Sequence, residues 1–127
     1  MQIKPELIIL KKKEDVFKKR FFLISGNEET LIKKIEHIIL SKLKSQGYNN
    51  IKKNELIPID SRIDQSSMGN LFGESKVEIF YNPKEVDYNY LKLIDFTNLA
   101  IIVSHTNLKK NSKIVSNIEK DPDFISI

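Results

Sequence analysis

Reactive side chains that could act together are few in this chain. Ser104 and His105 offer a hydroxyl nucleophile and a general base, but neighbours in an extended run point to opposite faces and cannot form a working pair. Asp60 ends the apolar run "ELIPI", where an ATPase would carry a magnesium-binding aspartate. Ser61 rather than a second acid follows it, so a carboxylate capping the next turn is the simpler reading. "ISGNEETLIKK" (24–34) sets a glycine between an apolar run and an amphipathic one, the place where a helix start could hold phosphate. It has one glycine and no G-K-[ST], and Glu28 and Glu29 would repel a triphosphate; G-x-G-x-x-G is absent too. With no cysteine and only His37 and His105, far apart, neither a thiolate nucleophile nor a local zinc cluster is available. No catalytic, cofactor or metal residues are expected.

Binding residues are the other possibility. The chain carries a net charge of +4, but its cations are dispersed among acids except at Lys11, Lys12 and Lys13 and at Lys18, Lys19 and Arg20. These clusters read either as a solvated face or as phosphate contacts for a nucleic acid. "SSMGNLFGESKVEIFYN" (66–82) places Leu71 and Phe72 side by side before Gly73, with Met68 one helical turn earlier. From spacing alone, Met68, Leu71 and Phe72 at i, i+3 and i+4 read as core facing a sheet.

The elements that must position these residues alternate. With 127 residues the chain has the size of a single domain spanning 1–127, and its 40% apolar and 30% charged composition is that of a folded globular protein. "RFFLISG" (20–26) reads as a buried strand, and residues 27–47 as a helix with Leu31, Ile35, Ile38, Ile39 and Leu43 on one face. Ser25 and Glu28 have capping-box spacing, Asn27 is an alternative cap, and Gly47 is the natural stop. "NELIPID" (54–60) reads as a second strand, at an edge because Pro58 donates no ladder bond, followed by a short helix through about 64–72. Further strands are expected at 76–82, 98–105 and 123–127. The intervening helices carry Val86, Tyr90, Leu93 and Ile94, then Leu108, Ile114, Val115 and Ile118. "NLAIIVSH" (98–105) is the most continuously apolar run, as in a central parallel strand covered on both faces. The segment before Arg20 reads as a strand or a helix. The expectation is an α/β domain with a parallel sheet of about five strands and flanking helices. No apolar run approaches a membrane span and the N-terminus lacks the regions of a signal peptide, so a cytoplasmic protein is expected.

Three stretches in order, "FFLISGNEETLIKKIEHII", "SMGNLFGESKVEIF" and "LAIIVSHTNLKKNSKIVSNIEK" running into "DFISI", resemble the N-terminal domain of the delta subunit of the bacterial DNA polymerase III clamp loader. The resemblance covers roughly residues 20–127 and the first of that family's three domains. It implies a Rossmann-like fold related to the AAA+ (P-loop NTPase) core with a degenerate phosphate loop, no ATP use, and further helical domains that join the other loader subunits. It also implies that Leu71 and Phe72, with Met68, form a plug that enters a pocket on the sliding clamp and helps open the ring for loading onto DNA in replication. On this reading Leu71 and Phe72 are solvent-exposed in the isolated domain. Two other readings stand beside it: a nucleotide-dependent α/β enzyme with an atypical phosphate loop, and a basic DNA-binding domain using Lys11, Lys12 and Lys13.

Overall fold

The computed structural model of the chain describes residues 1–10, 14–55, 75–83, 88–106 and 113–127. A short helix α1 (Pro5–Ile9) and a 3-10 turn (Glu14–Lys18) lead into strand β1 (Phe21–Ser25) and the long helix α2 (Glu29–Ser45). Strands β2 (Tyr48–Glu55) and β3 (Ser75–Tyr81), helix α3 (Tyr88–Leu93), strand β4 (Leu99–His105), helix α4 (Lys113–Lys120) and strand β5 (Phe124–Ser126) follow. The five strands form one sheet in the order β2-β3-β4-β1-β5, and every pairing is parallel. This is the expected α/β architecture, a parallel sheet of five strands with flanking helices. Among the described residues no helix is long and apolar enough to cross a membrane.

The side of the sheet each helix takes follows from the direction of travel. From β1 the chain moves outward past β4 and β3 to β2, whereas from β3 to β4 and from β4 to β5 it moves the opposite way. Right-handed crossovers therefore put α2 on one face and α3 and α4 on the other. The buried side chains agree. Phe22, Ile24, Val77, Ile79, Ala100, Ile102 and Ile125 pack with Ile32, Ile35, Ile39 and Leu43 of α2 and with Ile8, Val16 and Phe17 from the N-terminal segment. On the other face Phe21, Leu23, Leu99, Ile101, Val103 and Phe124 pack with Leu91 and Ile94 after β3, and with Val115 and Ile118 of α4. Strand β4 is buried from Leu99 to Ser104, as a central strand covered twice must be.

Several expectations need correction. The second strand begins at Tyr48, six residues before the expected start at Asn54; it is an edge strand, and residues 56–60 with Pro58 lie outside the described residues. So does the helix expected at about 64–72. Ser25 is the last residue of β1 and Glu28 is the N-cap of α2 without a side-chain cap, so the capping box does not form. The buried face of α2 is Ile32, Ile35, Glu36, Ile39 and Leu43, with Leu31 and Ile38 only partly covered. In α3 the buried residue is Leu91, while Leu93, expected on the apolar face, is 81% exposed. Gly47 does end α2, with φ of +101°, a left-handed conformation in which glycine carries no side-chain penalty. The segment before Arg20 supplies α1 and also lengthens the sheet edge, where Gln2 bridges Ser126 and Ile3 N–H donates to Ser126 O at 2.8 Å.

One carboxylate ties α3 to the turn between α4 and β5. Asp121 is buried, and its Oδ2 accepts from Lys92 Nζ at 2.8 Å and Tyr88 OH at 2.6 Å, while Oδ1 accepts the Asp123 amide at 2.9 Å. Burial pushes this carboxyl up, but the hydrogen bonds from Lys92, Tyr88 and Asp123, with the Lys92 charge, outweigh it and hold the pKa down to about 2. A depressed carboxyl stabilises the fold above its unfolded pKa and loses that contribution as the pH falls through its folded value. Asp121→Asn is expected to cost about 2 kcal/mol at pH 7. The native chain should lose that margin as the pH drops from about 4 toward 2, so that the stability of the variant falls by about 2 kcal/mol less across the same window. Urea unfolding of both proteins across this range measures it, and parallel stability curves would rule the tie out.

Candidate functional site

In open parallel sheets, ligands settle outside the carboxyl ends of the strands, where neighbouring strands send their connections to opposite faces. Here those neighbours are β1 and β4, so the switch point falls between Ser25 and His105, which are paired in register. Only Gly26, Asn27 and Glu28 separate β1 from α2. Gly26 N–H donates to His105 O at 3.2 Å, which fastens this turn to the end of β4. Three residues leave no room for a glycine-rich loop whose amides cradle phosphate. Glu28 at the N-cap and Glu29 in the first turn set negative charge where an anion would bind, and the exposed Lys33 lies 3.3 Å from Glu29. Beside the turn lies a hollow of about 310 Å³ with apolar walls from Ile24, Leu31, Ile32, Ile35 and Val115.

The most developed polar arrangement at this edge is centred on Glu36. It lies on the inner face of α2 and is 7% exposed. Tyr81 OH, at the end of β3, donates to Glu36 Oε1, and Ser104 Oγ, near the end of β4, donates to Oε2 at 3.4 Å. Thus the carboxylate joins one helix to two adjacent strands. Next along β3, Asn82 adopts φ of +46°, a conformation asparagine tolerates better than most residues. Its Oδ1 accepts from Thr106 N–H at 2.8 Å and Thr106 Oγ1 at 3.1 Å, so the ends of β3 and β4 are joined twice. Lys33, His37, Lys53 and Tyr81 border an open hollow of about 660 Å³ above Glu36.

Ser104 and His105 do not act together, since the Ser104 hydroxyl is directed to Glu36 on the α2 face and alternation turns His105 away. Burial lowers the His105 pKa, which favours its neutral form at neutral pH. His37 is exposed on α2. Among the described residues no three His, Cys, Asp or Glu side chains are grouped to hold a metal ion. Of the charged cluster 18–20, Arg20 is committed to structure: Nη1 donates to Gln46 Oε1 and to Lys19 O, each at 3.1 Å, and the guanidinium stacks 4.9 Å from the Tyr48 ring centre. Leu71, Phe72 and Met68, the expected plug, and Lys11, Lys12 and Lys13 lie outside the described residues, as does Asp60.

Glu36 was missed in the sequence because its carboxylate was counted with the solvated face. Its signal was positional: Ile32, Glu36, Ile39 and Leu43 recur at i, i+4, i+7 and i+11, which puts the acid in the apolar stripe. Tyr81→Phe removes a donor from a buried carboxylate and is expected to cost about 1–2 kcal/mol. A double-mutant cycle with Glu36→Gln should return a coupling of about 1 kcal/mol, and additive effects would show that the two groups do not act as a unit.

No protein-family model matches the chain, and no curated protein matches it either.

Proposed function

We propose that the chain is the first domain of a clamp-loader delta subunit, a module that grips the sliding clamp through Leu71 and Phe72 with Met68 and helps open the ring for loading onto DNA. The observation that carries this reading is the sheet order combined with the closed β1–α2 turn. With β4 inserted between β1 and β3, the order β5-β1-β4-β3-β2 is an open parallel sheet that supports the Rossmann-like fold the resemblance implies. The three-residue turn carrying Glu28 stands where such a core would carry its phosphate loop. A domain of this kind that binds its partner without using ATP is what the family resemblance implies.

The connectivity is compatible with a plug. Leu71 and Phe72 precede Ser75, the first residue of β3, by four and three residues, so chain reach keeps the Phe72 Cα within about 11 Å of the Ser75 Cα. The pair thus belongs to the connection that enters β3 at Ser75. Burying a leucine and a phenylalanine contributes roughly 1.5–3 kcal/mol each, enough for two adjacent anchors to dominate a small interface. Other loader subunits would be met through helical domains outside this sequence, and DNA within the assembly.

Calorimetry against the cognate sliding clamp tests the reading. Leu71→Ala with Phe72→Ala is expected to weaken binding at least a hundredfold, about 3 kcal/mol, with an unchanged melting temperature. Clamp binding that survives the double substitution would remove the plug, and the absence of any clamp binding by the native chain would remove the reading itself.

A further inference from the structure

The α-amino group of Met1 is seated in the fold. It donates to three main-chain carbonyls, Ile118 O at 2.7 Å, Asp121 O at 2.6 Å and Phe124 O at 2.5 Å. These belong to the last turn of α4, the turn after it and the first residue of β5, 117 to 123 residues away in the chain. Carbonyls at a helix end are short of partners and carry the negative pole of its dipole, so a cation set against them acts as a C-cap. Ile118 O and Asp121 O each accept one amide as well, from Asp121 at 3.2 Å and Phe124 at 3.3 Å, and the ammonium takes their second lone pairs. The docked end also begins a short extension of the sheet. Ser126 N–H donates to Met1 O at 2.9 Å and Ile3 N–H to Ser126 O at 2.8 Å, and the Ile3 side chain is buried in the core on the α2 face.

We propose that this amine is a modification-sensitive clip: an Nα-acyl group excludes it from the three carbonyls, so the N-terminal segment docks beside β5 only when the acyl group is absent or has been hydrolysed. The argument is geometric. An ammonium nitrogen is tetrahedral, and with Cα in one direction and a carbonyl oxygen facing each of its three hydrogens, no direction is left for a substituent. An acyl carbon sits about 1.3 Å from the nitrogen it acylates, which would place it less than about 1.5 Å from the oxygen that the displaced hydrogen had faced. The product amide is uncharged and keeps one of the three N–H donors. Formyl is the smallest such group. Its hydrolysis adds water across the amide C–N bond and releases formate, and the freed amine carries the remaining proton as the ammonium that the carbonyls receive. The inference is independent of the clamp-loader reading, since the clip lies at α4 and β5 and none of its residues belongs to the plug.

Translation of the full chain in a reconstituted system without peptide deformylase yields the Nα-formyl chain, and adding the enzyme yields the free amine; intact mass distinguishes the two. Amide hydrogen exchange then reads the seating of the end. Formylation is expected to speed exchange of the Ile3 and Ser126 amides at least tenfold and to leave the amides of β3 and β4 within twofold. Deformylase added to the folded formyl chain should restore the protection, which separates undocking from misfolding. A Gly-Ser extension ahead of Met1 turns the amine into a peptide amide, and should mimic formylation without responding to the enzyme. Equal protection of Ile3 and Ser126 in the formyl and free chains, or in the extended and free chains, would overturn the clip. Loss of protection throughout the sheet that deformylase does not reverse would make acylation a general folding defect and overturn it too.

Discussion

Parallel pairing is the constraint on which the rest of this structure depends. A strand that runs parallel to its neighbour cannot return by a tight turn, so the chain must cross the sheet after every strand and bring apolar cover as it does. The central strands then have no solvent face. From Leu99 to Ser104 every residue of β4 is buried, and β1 is buried from Phe21 to Ile24. Because the chain moves one way after β1 and the other way after β3 and β4, handedness divides the cover: among the described residues α2 joins the N-terminal segment on one face, and α3 and α4 lie on the other.

Among the described residues each layer also has a buried carboxylate that collects several donors, and the two lie at opposite ends of the sheet. On the α2 side, Glu36 gathers Tyr81 and Ser104 at the carboxyl edge. On the other side, Asp121 gathers Lys92, Tyr88 and the Asp123 amide just before β5 begins. Apolar packing is indifferent to small slides of a helix along a sheet, whereas a buried carboxylate with fixed donors is not. Losing the donors would leave an acceptor in low dielectric, which costs more than the bonds themselves contribute. These two residues therefore set where α2 and α3 sit along their strands.

The same physics explains what could be read in the sequence and what could not. A strand covered on both faces writes itself as an uninterrupted apolar run, so "NLAIIVSH" and "RFFLISG" were legible to within a residue or two. Strand β2 is paired on one side only, and its sequence, "YNNIKKNE", carries a single apolar residue after Tyr48; the apolar "LIPI" just beyond drew the expected strand downstream. Helix faces were legible to within one position. Choosing Leu31 and Ile38 over Ile32 and Glu36 rotated α2 by about a residue, and a six-residue α3 gave too few turns to separate buried Leu91 from exposed Leu93. Asp121 was invisible, because what distinguishes it from other acids is the distant tyrosine and lysine that the fold delivers, whereas Glu36 was marked only by its place in the apolar stripe of α2.

The two edges of the sheet divide their work, and the division bears on function. Ligand crevices in such sheets form at the carboxyl edge. Here Gly26 is bonded to His105, Asn82 to Thr106, and Glu36 to Tyr81 and Ser104, so the polar groups best placed to hold a nucleotide are engaged with one another. Opening that edge for a phosphate would break hydrogen bonds around a buried carboxylate and bring an anion toward Glu28 and Glu29. At the amino edge the charged tie is Lys92 to Asp121, beside the buried rings of Phe21 and Phe124. An edge whose donors are satisfied internally favours rigidity.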